Sequence, residues 1–344
     1  MRTYAGIDLH STSSYVGVID EEDRRLVGKK VENSVEAIER YLAPYKESMV
    51  GVAVESTFNW YWLVDGLQAQ GYPVRLANPS AIQQYEGLKY GDDRWDSFWL
   101  AHMLRLGILP TGYIYPKEER PARDLLRRRL LFVRQRTTQI LSLQGMVARN
   151  LGVKVSVNRI KRLTEEELAV SFPAPHLRSA AQRSLAVIQF LSGQIREIEG
   201  EVLKDVRLRE EFGLLLTVPG IGKILGLTIM LEVGDIGRFK GVRNYSSYCR
   251  CVKAERWSAG KKKGKGNEKN GNKYLAWAYV EAAHFARRYH EGPTRFWQRK
   301  ARERNEIVAV KALANKLARA SYYVMRDQVP YDEQRLFVGI PVQQ

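Results

Sequence analysis

Two apolar, β-branched runs in this chain end on a carboxylate. Asp8 closes the run in Gly6-Ile7-Asp8-Leu9-His10, and Glu55 closes Val52-Ala53-Val54-Glu55. Runs of this kind suit buried strands, so both acids fall where a sheet passes the chain to a loop. Asp93 and Asp96 flank Arg94-Trp95, three apart in a helical pattern, which puts both on one helical face. Two strand ends and one helix face can bring four carboxylates together around a pair of divalent cations. Taken singly, each acid reads better as an ordinary cap at a strand end or first helical turn. As a set, the four lean towards a metal site.

The segments around these acids predict an α/β order. Tyr4–Asp8, Tyr15–Ile19 and Arg25–Val31 suit three strands of a meander. Ser34 is placed to cap a helix that buries Ile38 and Leu42. Met49–Glu55 reads as a buried strand, Trp60–Gln70 as a helix stopped by Gly71, and Val74–Ala77 as a strand halted by Asn78-Pro79. From Asp92 to Leu106, Trp95, Phe98, Trp99, Met103 and Leu106 form the expected apolar face of a helix, which ends before Pro110. A meander followed by alternating helix and strand is the order of a ribonuclease-H-like domain, assigned to residues 1–116.

Residues 117–207 have a different texture. Leu126, Leu130, Val133, Ile140, Val147 and Leu151 recur at heptad-like positions, and Ile188, Leu191, Ile195, Ile198, Val202 and Val206 repeat the pattern. Two long helices follow, arranged as a hairpin, as an intermolecular coiled coil, or as part of an ordinary bundle. The first helix carries Arg120, Arg123, Arg127, Arg128, Arg129, Arg134 and Arg136, more than a solvated face needs. Arg127, Arg128 and Arg129 are therefore candidates for contacts to a phosphate backbone. The chain's 55 Lys and Arg against 38 Asp and Glu, a net charge of +17, favour a polyanionic partner.

Residues 208–344 read as mainly helical. Pro219-Gly220-Ile221-Gly222 followed by Lys223 resembles the hairpin of helix-hairpin-helix modules, where backbone amides hold a phosphate at a helix start. A plain glycine turn between packed helices fits the same residues. After Trp257-Ser258 come Gly, Lys and Asn residues with almost nothing apolar, including Lys261, Lys262, Lys263, Lys265 and Lys269, so a mobile loop is expected up to Asn272. Ser258 is either a nucleophile beside a phosphate-holding lysine cluster or the start of a basic loop, and the residues alone favour the latter. Helices resume at Tyr274–Arg288 and Glu306–Arg326.

Several classes are disfavoured. Gly6-Ile7-Asp8 followed by Ser/Thr also suits the first phosphate loop of actin-like ATPases, but Glu55-Ser56-Thr57-Phe58 supplies no second glycine-rich turn. Cys249 and Cys251, one residue apart, form no zinc quartet and suit a reducing cytosol. No apolar run approaches the roughly 20 residues of a membrane span. Met1-Arg2-Thr3-Tyr4 leads straight into a strand pattern, so no signal peptide is expected. The histidines show no ligand spacing, and the strand is expected to end at Asp8, short of His10.

The order of these pieces resembles the transposases of the IS110/IS1111 insertion-sequence family along nearly the whole chain. Gly6-Ile7-Asp8, Glu55, Asn78-Pro79 and Asp93-x-x-Asp96 are similar to the family's RuvC-like DEDD domain. Val218-Pro-Gly-Ile-Gly222, Gly234-Asp-Ile-Gly-Arg-Phe239, Ser258-x-Gly260, Lys269-Asn-Gly-Asn272 and Tyr274-Leu275 are similar to its C-terminal transposase domain. The resemblance implies Asp8, Glu55, Asp93 and Asp96 as the metal-binding tetrad, with Mg²⁺ as cofactor, two ions being expected. It implies Ser258 as a nucleophile that forms a phosphoserine link with DNA. It also implies donor and target DNA, a non-coding bridge RNA, and dimers that join into a tetramer. Two departures stand out. The family's Lys-Thr-Asp-x-x-Asp-Ala is here Gly91-Asp92-Asp93-Arg94-Trp95-Asp96-Ser97, where only the 93/96 pair keeps the spacing. Its Gly-Leu-x-Pro is replaced by Arg250-Cys251-Val252-Lys253. The rivals to a guided recombinase are a RuvC-like endonuclease using metal-activated water and a non-catalytic nucleic-acid scaffold. All three place the protein in the cytoplasm, with the nucleoid.

Overall fold

The computed structural model describes residues 1–82, 92–205, 209–253, 255–258, 260–265 and 270–337. These form two compact units that meet in sequence between Lys117 and Glu118.

The first unit is built on a five-stranded sheet. Its elements are β1 (Thr3–Leu9), β2 (Ser13–Asp20), β3 (Arg25–Glu32), α1 (Val35–Leu42), β4 (Met49–Glu55), α2 (Tyr61–Ala69), β5 (Val74–Ala77) and α3 (Asp93–Arg105). The spatial order is β3-β2-β1-β4-β5. β1 and β2 are antiparallel, as are β2 and β3, while β4 runs parallel to both β1 and β5. β1 lies in the middle, and all seven of its residues are buried.

Strand alternation divides the side chains between two faces. Ala5, Ile7 and Leu9 pack with Val52 and Val54 of β4 against Ile38, Leu42, Leu63, Val64 and Leu67 from α1 and α2. The opposite face is covered by α3, where Tyr4 meets Phe98 and Ala101, and Ala53 meets Leu100 and Met103. Two glycines let α3 sit close. A Cβ on Gly6 would fall 2.0 Å from the Ser97 carbonyl oxygen and 2.8 Å from the Ala101 amide nitrogen. A Cβ on Gly17 would fall 2.8 Å from Ser97 Oγ.

This close seating corrects the expected apolar face of α3. The buried residues are Ser97, Phe98, Leu100, Ala101 and Met103, so small side chains line the contact with the glycines. Leu106 is 48% exposed. Trp95 and Trp99 are displaced to the edge, half-buried and stacked on each other with ring centroids 5.2 Å apart.

Among its described residues, the second unit is built of helices and one hairpin. Its first elements are α4 (Arg120–Leu151), α5 (Val157–Ile160), α6 (Glu165–Ser171) and α7 (Pro175–Asp205). After these come α8 (Glu210–Leu215), α9 (Lys223–Val233), α10 (Val242–Tyr248), β6 (Glu255–Ser258) and β7 (Lys261–Lys265). The last four are α11 (Lys273–Tyr289), α12 (Glu291–Glu303), α13 (Glu306–Asp327) and α14 (Glu333–Phe337). α4 and α7 pair antiparallel. At one end Ile140, Leu143 and Val147 meet Ala181, Leu185 and Ile188, closed by Ile160 of α5 and Leu168 of α6. At the other, Leu126, Ile198 and Val202 join the core formed by α8 to α13. The expected seam needs two changes: Leu143 is fully buried within it, and Leu151 is 41% exposed at the helix end, just before a left-handed Gly152. Val206 lies outside the described residues. Among the described residues, no helix is long and apolar enough to cross a membrane.

The segment expected to be a mobile loop contains a two-stranded hairpin. β6 and β7 pair antiparallel, Ser258 facing Lys261, with a bulge at Arg256/Trp257 and a left-handed Gly260 at the turn. Backbone pairing with a glycine turn needs no buried side chain, which is why a polar composition does not preclude it. Residues 266–269 lie outside the described ones.

Candidate active site

The sheet register explains why Asp8 and Glu55 meet. β1 and β4 are parallel neighbours with Ile7 beside Val54, so the next residue on each, Asp8 and Glu55, emerges at the same carboxyl edge of the sheet. Alternation turns both towards the α3 face, where Gly6 and Ala53 also lie. Such carboxyl edges are where open α/β sheets place their binding sites.

Helix α3 delivers the other two acids. Asp92 is its N-cap, its side chain accepting from the Trp95 amide at 2.7 Å, while Asp93 and Asp96 follow in the first turn. Asp92 is thus engaged in capping, a bond typically worth about 1 kcal/mol. Glu55 lies half-buried beside the Asp8 carboxyl group. Burial, the neighbouring Asp8 and the charge of Asp96 push the Glu55 carboxyl up to about 7. Asp96 is also raised, first by burial and then by Asp8, Asp93 and Asp92. Asp8 is 3% exposed and Asp93 more open. The structure therefore brings all four acids into one electrostatic cluster.

It also adds a residue that the sequence left uninformative. β1 continues to Leu9, and His10 places Nε2 3.1 Å from Asp8 Oδ2 and 3.2 Å from Asp93 Oδ1. Burial works against its protonation, yet the charges of Asp8 and Asp93 outweigh it and raise the imidazole's proton affinity. The available signal is alternation, since Asp8 and His10 are two apart, although β1 itself ends at Leu9. Lys30 Nζ approaches Asp93 at 3.8 Å.

The basic candidates divide. Arg127 binds Glu232 through Nη2 at 2.9 Å and lies over the Tyr274 ring at 4.4 Å. Arg129 holds Glu199 through Nε at 2.8 Å. Arg120 and Arg123 are buried, and Arg123 also reaches Glu232. Of the three candidates, only Arg128 is exposed.

Gly220 adopts a left-handed backbone, and a Cβ there would meet the Ala282 carbonyl oxygen of α11 at 2.1 Å, so this glycine is required by packing. Gly222 faces open space as the N-cap of α9, and Lys223 is exposed. Lys261 and Lys263 are exposed on β7. Lys269 lies outside the described residues, as do the side chains of Ser258, Lys262 and Lys265. Beyond the hairpin the chain is firmly tied. Asn272 donates its backbone amide to the Tyr248 carbonyl at 2.6 Å and Nδ2 to Glu232 at 2.7 Å, and Oδ1 caps α11.

Comparison with known proteins places this geometry in a class. The family model of DEDD transposases of the IS110 type matches residues 5–149, which span the sheet, α3 and most of α4. The model described as the transposase IS116/IS110/IS902 family matches residues 213–298. The chain belongs to the IS110 family of insertion-sequence transposases. It is therefore a transposase, a class of enzyme that cuts and rejoins DNA. Among its relatives is the transposase for insertion sequence element IS1328 of Yersinia enterocolitica, 25% identical over 331 residues, covering 94% of this chain and 96% of that protein. The transposase for IS1111A of Coxiella burnetii (strain RSA 493 / Nine Mile phase I) is 23% identical over 338 residues, covering 95% and 90%.

Proposed function

We propose that this protein is an RNA-guided DNA recombinase that uses a divalent-metal site and a serine nucleophile. The observation that carries the reading is the convergence of Asp8, Glu55, Asp93 and Asp96 at one sheet edge in a transposase of this family. Within this cluster Glu55 and Asp96 hold their protons above the ordinary range, as crowded carboxylates do, and the oxygens of the four acids fit a hard divalent cation. Asp8, Glu55, Asp93 and Asp96 would hold Mg²⁺, two ions fitting four acids. When bound, such ions neutralise charge on a transferring phosphoryl group and favour the attacking and leaving oxygens.

The chain's own residues supply the rest. The β1–β4 register fixes Asp8 against Glu55, and the Asp92 cap fixes the first turn of α3. The Ser258 hydroxyl attacks a DNA phosphorus, forming a phosphoserine ester and releasing a sugar hydroxyl, which takes the proton. Attack by a second strand's sugar hydroxyl on that ester rejoins DNA and restores the serine. Arg128, Gly222, Lys223 and the lysines around the hairpin contact nucleic-acid backbone, while Arg127 and Arg129 support the helices that present them.

The strand order with one antiparallel and one parallel arm suits a ribonuclease-H-like, RuvC-like domain over 1–116. The paired α4 and α7 then form an assembly region over 117–207, and 208–344 form the transposase domain with its helix-hairpin-helix-like turn. Dimers joining into a tetramer would bring one subunit's tetrad to another's serine. A bridge RNA from the element selects donor and target DNA, and the protein works in the cytoplasm at the nucleoid. The reading is tested by recombination of donor and target plasmids with and without the element's non-coding RNA. Recombination that needs this RNA, and that moves to a new site when its pairing segment is rewritten, supports the proposal. RNA-independent cleavage without rejoining would favour the endonuclease instead.

A further inference from the structure

We propose that His10 is itself a cation ligand, making the centre a mixed imidazole–carboxylate site that prefers a first-row transition-metal dication to Mg²⁺. The inference rests on the reading that the acidic cluster holds divalent cations.

The geometry is compatible with shared ligation. Nε2 of His10 lies 3.1 Å from Asp8 Oδ2 and 3.2 Å from Asp93 Oδ1, and one ligand atom from each residue lies within 4.8 Å of the other two. Neighbouring ligands of an octahedral ion bonded at about 2.1 Å stand about 3 Å apart. The imidazole is 47% exposed, so a cation reaches it from solvent.

The backbone of His10 is built into place from three directions. Its amide donates to the Ser13 carbonyl at 3.0 Å. Its carbonyl accepts from Asn33 Nδ2 at 2.9 Å and from Asn59 Nδ2 at 3.1 Å. Each asparagine is oriented in turn: Ser14 Oγ donates to Asn33 Oδ1 at 2.7 Å, and Thr57 Oγ1 to Asn59 Oδ1 at 2.9 Å. Segments following β1, β3 and β4 thus converge on one peptide. These bonds fix the peptide from which the imidazole projects towards Asp8 and Asp93, while Lys30 approaches Asp93 separately from β3.

The consequence is selectivity. Carboxylate and water ligands suit Mg²⁺ and Mn²⁺ alike, whereas an imidazole nitrogen favours the transition metals over Mg²⁺, least steeply Mn²⁺ and more so Fe²⁺, Co²⁺ or Zn²⁺. His10 therefore shifts the preference without adding negative charge.

The test uses the full-length protein and Mn²⁺ as the probe. Electron spin-echo modulation of bound Mn²⁺ should show a directly coordinated nitrogen in the wild type that is lost in His10→Gln. Mn²⁺ affinity should fall about 10-fold or more in this variant, while Mg²⁺ affinity, read by competition, changes less than about 3-fold. If wild-type Mn²⁺ shows no coordinated nitrogen, yet Asp8→Asn abolishes its binding, His10 is no ligand while the metal reading stands. If Mn²⁺ binds wild type and Asp8→Asn alike, or neither, the metal reading fails and this inference with it. The wild-type spectrum needs no variant to fold.

Discussion

Gly6 lies directly beneath the backbone of Ser97, so close that a Cβ on the glycine would fall 2.0 Å from the Ser97 carbonyl oxygen. This contact sets the depth at which α3 rests on β1, and with it the distance between Asp8 and the Asp93/Asp96 pair. Gly6→Ala must lift a whole helix, because both sides of the clash involve backbone. It should destabilise the protein by at least about 2 kcal/mol in urea unfolding. It should also weaken divalent-cation binding, measured by calorimetry on the fraction that remains folded. Wild-type stability in this variant would show that α3 is not seated as described.

The crowded acids predict a pH effect of definite sign. Glu55 is raised to about 7 from an ordinary 4.5. Between these values the folded protein binds a proton that the unfolded chain does not, so this contribution to stability is lost as pH rises through 7. In chelator, Glu55→Gln should raise Tm at pH 8, by an amount on the order of 1 kcal/mol in stability once partial solvent screening is allowed for. At pH 4 it should change Tm little. Thermal melts at the two pH values check this, and an equal effect at both would contradict it.

Much of this arrangement was legible in the sequence, for a physical reason: Asp8 and Glu55 are marked by buried strands whose apolar runs are local. Ser34 and the 93/96 spacing are local signals too. What escaped depended on partners remote in sequence. The helix face of α3 is decided by Gly6 and Gly17, not by its own aromatics. Arg127 looks like any exposed arginine until Glu232, 105 residues on, is seen beside it. His10 lies past the end of β1, and its place is set by Ser13, Asn33 and Asn59, the last two remote in sequence. The β6–β7 hairpin leaves almost no hydrophobic signature.

Glu232 ties three helices together, and its removal should be costly. It accepts from Arg123 at 3.1 Å and Arg127 at 2.9 Å on α4, and from Asn272 at the start of α11, while it is 2% exposed on α9. Burial opposes its charge, but the bond from Arg127 and the charges of both arginines hold its carboxyl below the ordinary range. Glu232→Ala would leave two cations without this partner, at a cost of about 3–5 kcal/mol. Chemical denaturation of the full chain measures it, and a loss under about 1 kcal/mol would contradict the clamp.

Arg128, on the same helix, should behave differently. It is exposed, so Arg128→Ala should leave stability within about 0.5 kcal/mol. If it contacts a phosphate, the variant should weaken nucleic-acid binding and reduce the slope of log affinity against log salt by about 1. An unchanged slope would remove Arg128 from the interface.

The central claim is that the acidic cluster works with Ser258 as nucleophile. The most direct measurement is covalent trapping on a nicked or suicide DNA substrate, followed by peptide mass spectrometry. The account predicts a DNA phosphate ester on Ser258 that requires a divalent cation and is absent from Ser258→Ala and Asp8→Asn. Recombination by Ser258→Ala at the wild-type rate, with no protein–DNA adduct in the wild type, would contradict it.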